Sequence, residues 1–274
     1  MSVIALSLVS AASFGAMTVA IRIGLGGARS AATAALAMLV WSTAILVVAA
    51  LPRHDLDHVW AFFLAGLLAP GCSQVLFTRS VREAGPSRTS VMVGGAPLVA
   101  VSIALVFLDE PVKPLLIVGA VAIVGGGVVL AGERDRPDHV RALALLYAAG
   151  AAVFFATRDN IVRALHAHGD PEAAAAATML AGLLVTALWA RRPPSRLELR
   201  RLAPAGIFFA VSYICLFEAY YRGRVSVVSP LVATETLWGV ALAALFLSHE
   251  RVGPRIAAGA LLVVAGGALI GVGR

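Results

Sequence analysis

Lysine is almost absent from this chain: Lys113 is the only one among 274 residues, and the surplus of seven positive charges rests on arginine. Charge of either sign is scarce. Asp, Glu, Lys and Arg make up 14% of the residues, whereas 60% are hydrophobic and the mean hydropathy is +0.90. Soluble domains carry about 25% charge, and no soluble core needs so many long apolar stretches. A nucleic-acid partner is excluded too, because no polar segment is long enough to present a basic face. Only two cysteines occur, Cys72 and Cys215. Both sit inside apolar segments without a CxxC or Cys/His spacing, so they read as small packing residues. GxSxG, P-loop and HExxH motifs are missing, as is an apolar-embedded Ser/His or Asp/Asp pair, which argues against an enzyme and against ATP as an energy source. No cofactor is implied. The abundance of Ala, Gly and Arg with little Lys fits a GC-rich bacterial genome.

What remains is a set of apolar runs, each long enough to cross a hydrocarbon core of about 30 Å with roughly 20 helical residues. Charged or Gly/Pro breaks divide the first half into Val3–Ile23, Ala31–Leu51, Val59–Thr78, Thr89–Leu108 and Pro114–Ala131. The second half reads as Val140–Asn160, Ala173–Ala190, Ala203–Tyr221, Ser226–Ser248 and Ile256–Val272. A β-barrel would need alternating strands of about ten residues rather than continuous runs. The first run lacks the basic flank of a signal peptide and has an internal mirror, so it is kept as a membrane helix. The predicted fold is an all-α membrane protein of ten transmembrane helices, with residues 1–131 and 140–274 as its halves and 132–139 as the linker.

The halves are copies. Glu110–Leu130 returns ungapped as Glu250–Ile270, matching at Glu, Val, Pro, Gly and Ala positions, and "ALSLVSAA" at Ala5–Ala12 returns as "ALALLYAA" at Ala142–Ala149. Five spans per copy is an odd number, so the second copy enters the membrane from the opposite side. Two inverted five-helix repeats are a common ground plan of secondary transporters and supply the physical basis of alternating access.

Further segments carry a resemblance. "SFGAMTVAIRIGL" at Ser13–Leu25, and "REAGPSRTSVMVGGAPLVAVSIALVFLDEPV" at Arg82–Val112 with its mid-helix Pro97 and its Glu110, resemble the drug/metabolite transporter superfamily in its EamA-type ten-helix branch. Glu250 stands at the matching place in the second half. One departure is that Leu237 occupies the position aligned with Pro97, and that helix carries Glu235 and Trp238 instead. The resemblance implies transport of amino acids, other metabolites or drugs, with cytoplasmic termini. It also implies that Phe14, Met17, Thr18, Gln74 and Pro97 line a cavity.

Ionisable groups at membrane depth are costly and face a cavity or a partner. Arg158 and Asp159 near the end of the sixth span, Glu218 near the end of the eighth and Glu235 early in the ninth fall in the same half of the bilayer. Pairing of Arg158 with Glu235 or Glu218 is the expected core of a site that binds a zwitterion or takes up a proton. Trp238 shares a helical face with Glu235 and offers cation–π attraction to an ammonium group. The opposing reading places Arg158, Asp159 and Glu218 at the interface, reaching toward headgroups. Glu110 and Glu250 read as dipole-complementing helix starts, and Gly119, Gly126, Gly127, Gly259, Gly266 and Gly267 as close-packing positions or a dimer face. Trp60 and Trp189 read as interface anchors, and mid-span Trp41 as a lipid or core contact, with lining of the pathway as the alternative. No metal site is expected, since His166, His168 and Asp170 match no standard spacing.

Orientation is contested. Basic residues number seven on the side of the termini and fifteen on the other, which favours external termini. The fold resemblance implies the reverse and is followed here. The reading is a multi-pass secondary transporter of a bacterial inner membrane that exports small organic metabolites such as amino acids. Its partners are a small-molecule substrate, membrane lipid and a coupling ion, H+ or Na+, as monomer or homodimer. The rivals are a flippase for lipid-linked or amphipathic substrates and a non-transporting membrane enzyme or scaffold.

Overall fold

A computed structural model describes residues 1–53, 55–107, 114–131, 142–247 and 252–272. Glu110, Glu250, Lys113, His54, His139, His249 and the 132–139 linker lie outside them. Every described element is helical. The first half holds α1 (Val3–Gly24), α2 (Ala31–Ala50), α3 (Val59–Gly66), a π-helical segment (Leu67–Cys72), α4 (Ser73–Ala84), α5 (Pro86–Val93), α6 (Ala96–Phe107) and α7 (Pro114–Ala131). The second holds α8 (Ala142–Ala164), α9 (Pro171–Ala190), α10 (Arg196–Arg222), α11 (Val225–Val232), α12 (Glu235–Phe246) and α13 (Pro254–Val272). Among the described residues, seven helical stretches are long and apolar enough to cross a membrane, which makes this a multi-pass membrane protein.

Helices begin where their sequences supply caps. Ser30 and Thr33 form a capping box at α2, Ser195 and Glu198 form another at α10, and Pro171 opens α9. In each case a side chain satisfies N–H groups that the first turn leaves unpaired, or proline removes one of them. Two of these helices therefore start before the apolar limits of the sequence: α9 at Pro171 ahead of the expected Ala173, and α10 at Arg196, well before the expected Ala203. The third span is not one smooth helix. Extended backbone at Ala69 (φ −140°, ψ 119°) before Pro70 bends it between α3 and α4.

Packing follows the repeat. Helix α1 lies against α10, α11 and α12 of the other half, and its counterpart α8 lies against α4, α5 and α6. Glycines carry the correspondence down to single residues. A Cβ on Gly66 would strike the Thr178 carbonyl oxygen on α9, and a Cβ on Gly206 would come within 2.7 Å of the Met38 carbonyl oxygen on α2. Gly206 is the repeat counterpart of Gly66, and Thr178 that of Met38, by the same offset that carries Glu110 onto Glu250. Between α7 and α13 the relation is reciprocal: Gly126 faces the Gly259 carbonyl, and Gly266 faces the Gly119 carbonyl. Two turns separate the members of each glycine pair along its own helix, a rise of about 10.5 Å. Such a swapped pair of contacts requires α7 and α13 to run antiparallel.

Charged loops close the two ends. At the end holding the N-terminus, Arg53 pairs with Glu172 at 2.6 Å, and the Asp170 N–H donates to the Asp55 carbonyl at 3.1 Å. His58 and His168 flank Asp57 there and hold its carboxyl below the usual carboxylate range. At the opposite end Glu198, fully buried, accepts from the Arg29 backbone and guanidinium, from Thr33 and from Ser195.

Candidate functional site

Two spans are broken at matching places. Gly94–Gly95 separates α5 from α6, and Ala233–Thr234 separates α11 from α12, within one residue of the positions that the repeat makes equivalent. Pro97 lies in the first turn of α6, where its missing N–H does no harm. In the second half no proline occupies that position. The chain stops and restarts there with Thr234 Oγ1 donating to the Leu231 carbonyl at 2.7 Å. Glu235 is the first residue of α12, at the positive end of a half-helix dipole, which favours negative charge.

A small open cavity lies beside both breaks. Glu235, Ala233 and Pro97 reach it from the breaks, Arg158 and Asp159 from α8, Ser10 and Phe14 from α1, and Ser212 and Tyr213 from α10. The three ionisable groups are almost withdrawn from the surface, with exposures of 2% for Arg158, 7% for Asp159 and 6% for Glu235. Arg158 Nε approaches Asp159 Oδ1 to 2.7 Å, a contact of charge whose angle is too poor for a hydrogen bond. Nε and Nη1 accordingly find no acceptor among the described residues. The guanidinium lies 4.7 Å from the Tyr213 ring centre, with Phe217 at 5.7 Å and Phe155 at 5.8 Å. Aromatic faces attract a desolvated cation, and arginine suits such stacking. Tyr220 donates its hydroxyl to Asp159 Oδ2 at 2.9 Å. Asn160 ties α8 to α6 by donating to the Ala100 carbonyl at 3.1 Å. Phe14 forms an apolar wall, edge-on to Phe77 and Phe155 at 5.3 and 5.7 Å.

Of the residues expected from the sequence, Arg158, Asp159 and Glu235 are brought together, and Phe14 and Pro97 line the same cavity. The rest go elsewhere. Arg158 takes its neighbour Asp159 as partner, whereas Glu218 pairs with Arg222 one turn on at 2.6 Å, away from the cavity. Trp238 is 45% exposed, and its Cβ side backs onto Gly15 of α1. Met17, Thr18 and Gln74 are fully buried but do not line the cavity. Thr18 donates its hydroxyl to the Phe14 carbonyl at 2.9 Å. Trp41 donates to the Leu199 carbonyl at 2.8 Å, outside the cavity.

Sequence reading missed Tyr213, Phe217 and Tyr220, which surround Arg158. Their spacing of four and three places them in one stripe of α10, and that was the available signal. Ser10 and Ser212, which bond each other at 3.0 Å between α1 and α10, were also missed. Single hydroxyls in apolar runs are too common to stand out.

The EamA-like transporter family matches the chain twice, over residues 1–132 and 142–272. A solved crystal structure is similar over 98% of this chain and 96% of its own length, with a TM-score of 0.69 at 18% identity. At that identity the likeness concerns the fold. No curated protein matches.

Proposed function

We propose, for a chain that belongs to the EamA-like transporter family, that ten spans in two inverted five-helix repeats export small organic metabolites by alternating access. Amino acids and related zwitterions are the favoured solutes, and a bacterial inner membrane is the setting. Membership supports a membrane transporter of the drug/metabolite type and not an enzyme. The antiparallel α7–α13 pair and the glycine contacts repeated at equivalent positions of the two copies support inversion. Inverted repeats place their substrate site at discontinuous helices, and a cavity beside two helix breaks supports this reading.

The observation that carries the solute class is the set of charges in that cavity. Arg158 is paired through Nε with Asp159 and keeps Nη1 without an acceptor among the described residues, suited to a solute carboxylate. Glu235, across the cavity lining on α12, suits an ammonium group or a coupling proton. A buried donor left without an acceptor is costly unless a ligand completes it.

Counterflow of labelled amino acids into proteoliposomes, without ATP, tests the reading. Exchange of a water-soluble zwitterion is expected, and Glu235→Gln is expected to slow it roughly tenfold or more. Scrambling of lipid without solute exchange would instead make the protein a flippase. Unchanged flux and unchanged pH dependence in both Glu235→Gln and Arg158→Ala would remove these residues from the site.

A further inference from the structure

The end of the molecule that holds the N-terminus carries a second cluster, outside the cavity. Asp57 and His58 precede α3, and His168 follows α8, so the cluster joins the two repeats. His58 Nδ1 lies 2.8 Å from Asp57 Oδ1, and His168 Nδ1 lies 3.0 Å from Asp57 Oδ2. The two imidazole rings face each other with centres 3.9 Å apart.

Repeat symmetry says what this position does. Glu198 is the repeat counterpart of His58, and Arg29 falls one place beyond Ala28, the counterpart of His168. At the opposite end of the molecule, therefore, the same junction is closed by the Arg29–Glu198 ion pair at 2.9 Å. At the N-terminal end an imidazole stands at the glutamate's position, and another lies one place before the arginine's, with Asp57 beside them. That end already holds the Arg53–Glu172 pair at 2.6 Å, and a cation shared by the two imidazoles and Asp57 adds a second link between the repeats. We propose that Asp57, His58 and His168 bind a divalent transition-metal ion of the zinc class, which clips the first repeat to the second at this end.

The donor set is right for such an ion. Two imidazole nitrogens and one carboxylate oxygen match borderline-soft divalent metals, with water in the remaining position. Two donors about 2.1 Å from one ion can lie at most about 4.2 Å apart. Here the three donor atoms all lie within 4.8 Å of one another, so small side-chain rotations suffice. The backbone is held in place for it: the Tyr221 hydroxyl donates to the His168 carbonyl at 2.9 Å, and Gly169 (φ +67°) presses against the Asp57 carbonyl. His58 itself is left-handed (φ +52°), an uncommon conformation for a non-glycine residue, and its ring lies against Asp57.

The test is calorimetric titration of Zn2+ into the full-length protein in detergent, with no histidine tag. Co2+ absorption reads the coordination shell independently of transport. One ion per chain is expected, with an imidazole-type Co2+ spectrum. His168→Ala and Asp57→Asn should each weaken binding by roughly tenfold or more, while His166→Ala, whose ring contacts the Arg163 carbonyl, should bind as the parent does. His168→Gln serves as the second variant should His168→Ala fail to fold. Absence of binding to the parent at submillimolar Zn2+, or equal binding by the parent and the folded His168 variant, would overturn the proposal. Either result leaves the transport reading untouched, because neither depends on flux.

Discussion

Arg158 shows how one side chain can be both structural and functional. Its charge is held by one carboxylate and three aromatic faces, so removing it strands Asp159, a carboxylate that is only 7% exposed. Breaking a buried pair from one side costs about 3–5 kcal/mol. Arg158→Ala should therefore lower the melting temperature in detergent sharply. The double change Arg158→Met with Asp159→Asn removes both charges and should recover most of that stability without recovering transport. A role in stability alone would restore both. Glu235→Gln has nearly the same shape and should fold normally. Flux should nevertheless fall by roughly tenfold or more, about 1.4 kcal/mol of barrier, and the remaining flux should lose its pH dependence. Of this group the sequence disclosed the charges but not their pairing. Arg158 and Asp159 are neighbours in the chain, and only the aromatic stripe of α10 turns the guanidinium toward the cavity and leaves Glu218 to Arg222.

Helices show a different balance between what is local and what is tertiary. The apolar runs located every described span, because a segment that leaves water must satisfy its own backbone hydrogen bonds. The breaks were less visible. Pro97 marked one of them, but the break at Ala233–Thr234 has no proline in the corresponding place and is recognised by the half-helix starting at Glu235. Backbone freed at such a break is tolerated where it borders a cavity or protein. Close contacts between helices set a testable equality. Gly126 and Gly266 occupy equivalent places in the α7–α13 contact, each against a carbonyl of the other helix. Gly126→Val and Gly266→Val should destabilise the protein to a similar degree, about 1–3 kcal/mol each, as measured by thermal unfolding in detergent. A dimer face made of these glycines would show an effect on association instead, and here they are occupied within the chain.

At the scale of the molecule, each repeat's first helix is packed into the other repeat, so neither half has a complete core of its own. The two ends are closed by different chemistry. Glu198 is buried with donors from Arg29, Thr33 and Ser195, and Glu198→Ala should cost about 2–4 kcal/mol by emptying that set of charge-assisted bonds. Unfolding midpoints of Glu198→Ala and of Arg29→Ala would check this. The glutamate change should be the more damaging, because Arg29 is half exposed and loses less. Orientation is a property of this scale as well. A cysteine placed at Arg192, on the arginine-rich loop between α9 and α10, is expected to react with an impermeant maleimide added outside intact cells. Reaction only after lysis would place the arginine-rich side in the cytoplasm, as the charge count favours.

Membrane insertion, helical class and duplication were decided within the chain by composition, run length and self-similarity, since each rests on local hydrophobicity or on comparing the chain with itself. Which charges meet was decided by tertiary structure. Arg158 with Tyr213, His168 with Asp57, and Arg29 with Glu198 are all far apart in the chain, and no local preference encodes a contact that exists only once two repeats are packed face to face. The helix breaks lie between these cases: each is written in a few residues, but its use as the edge of a cavity depends on the neighbouring helices.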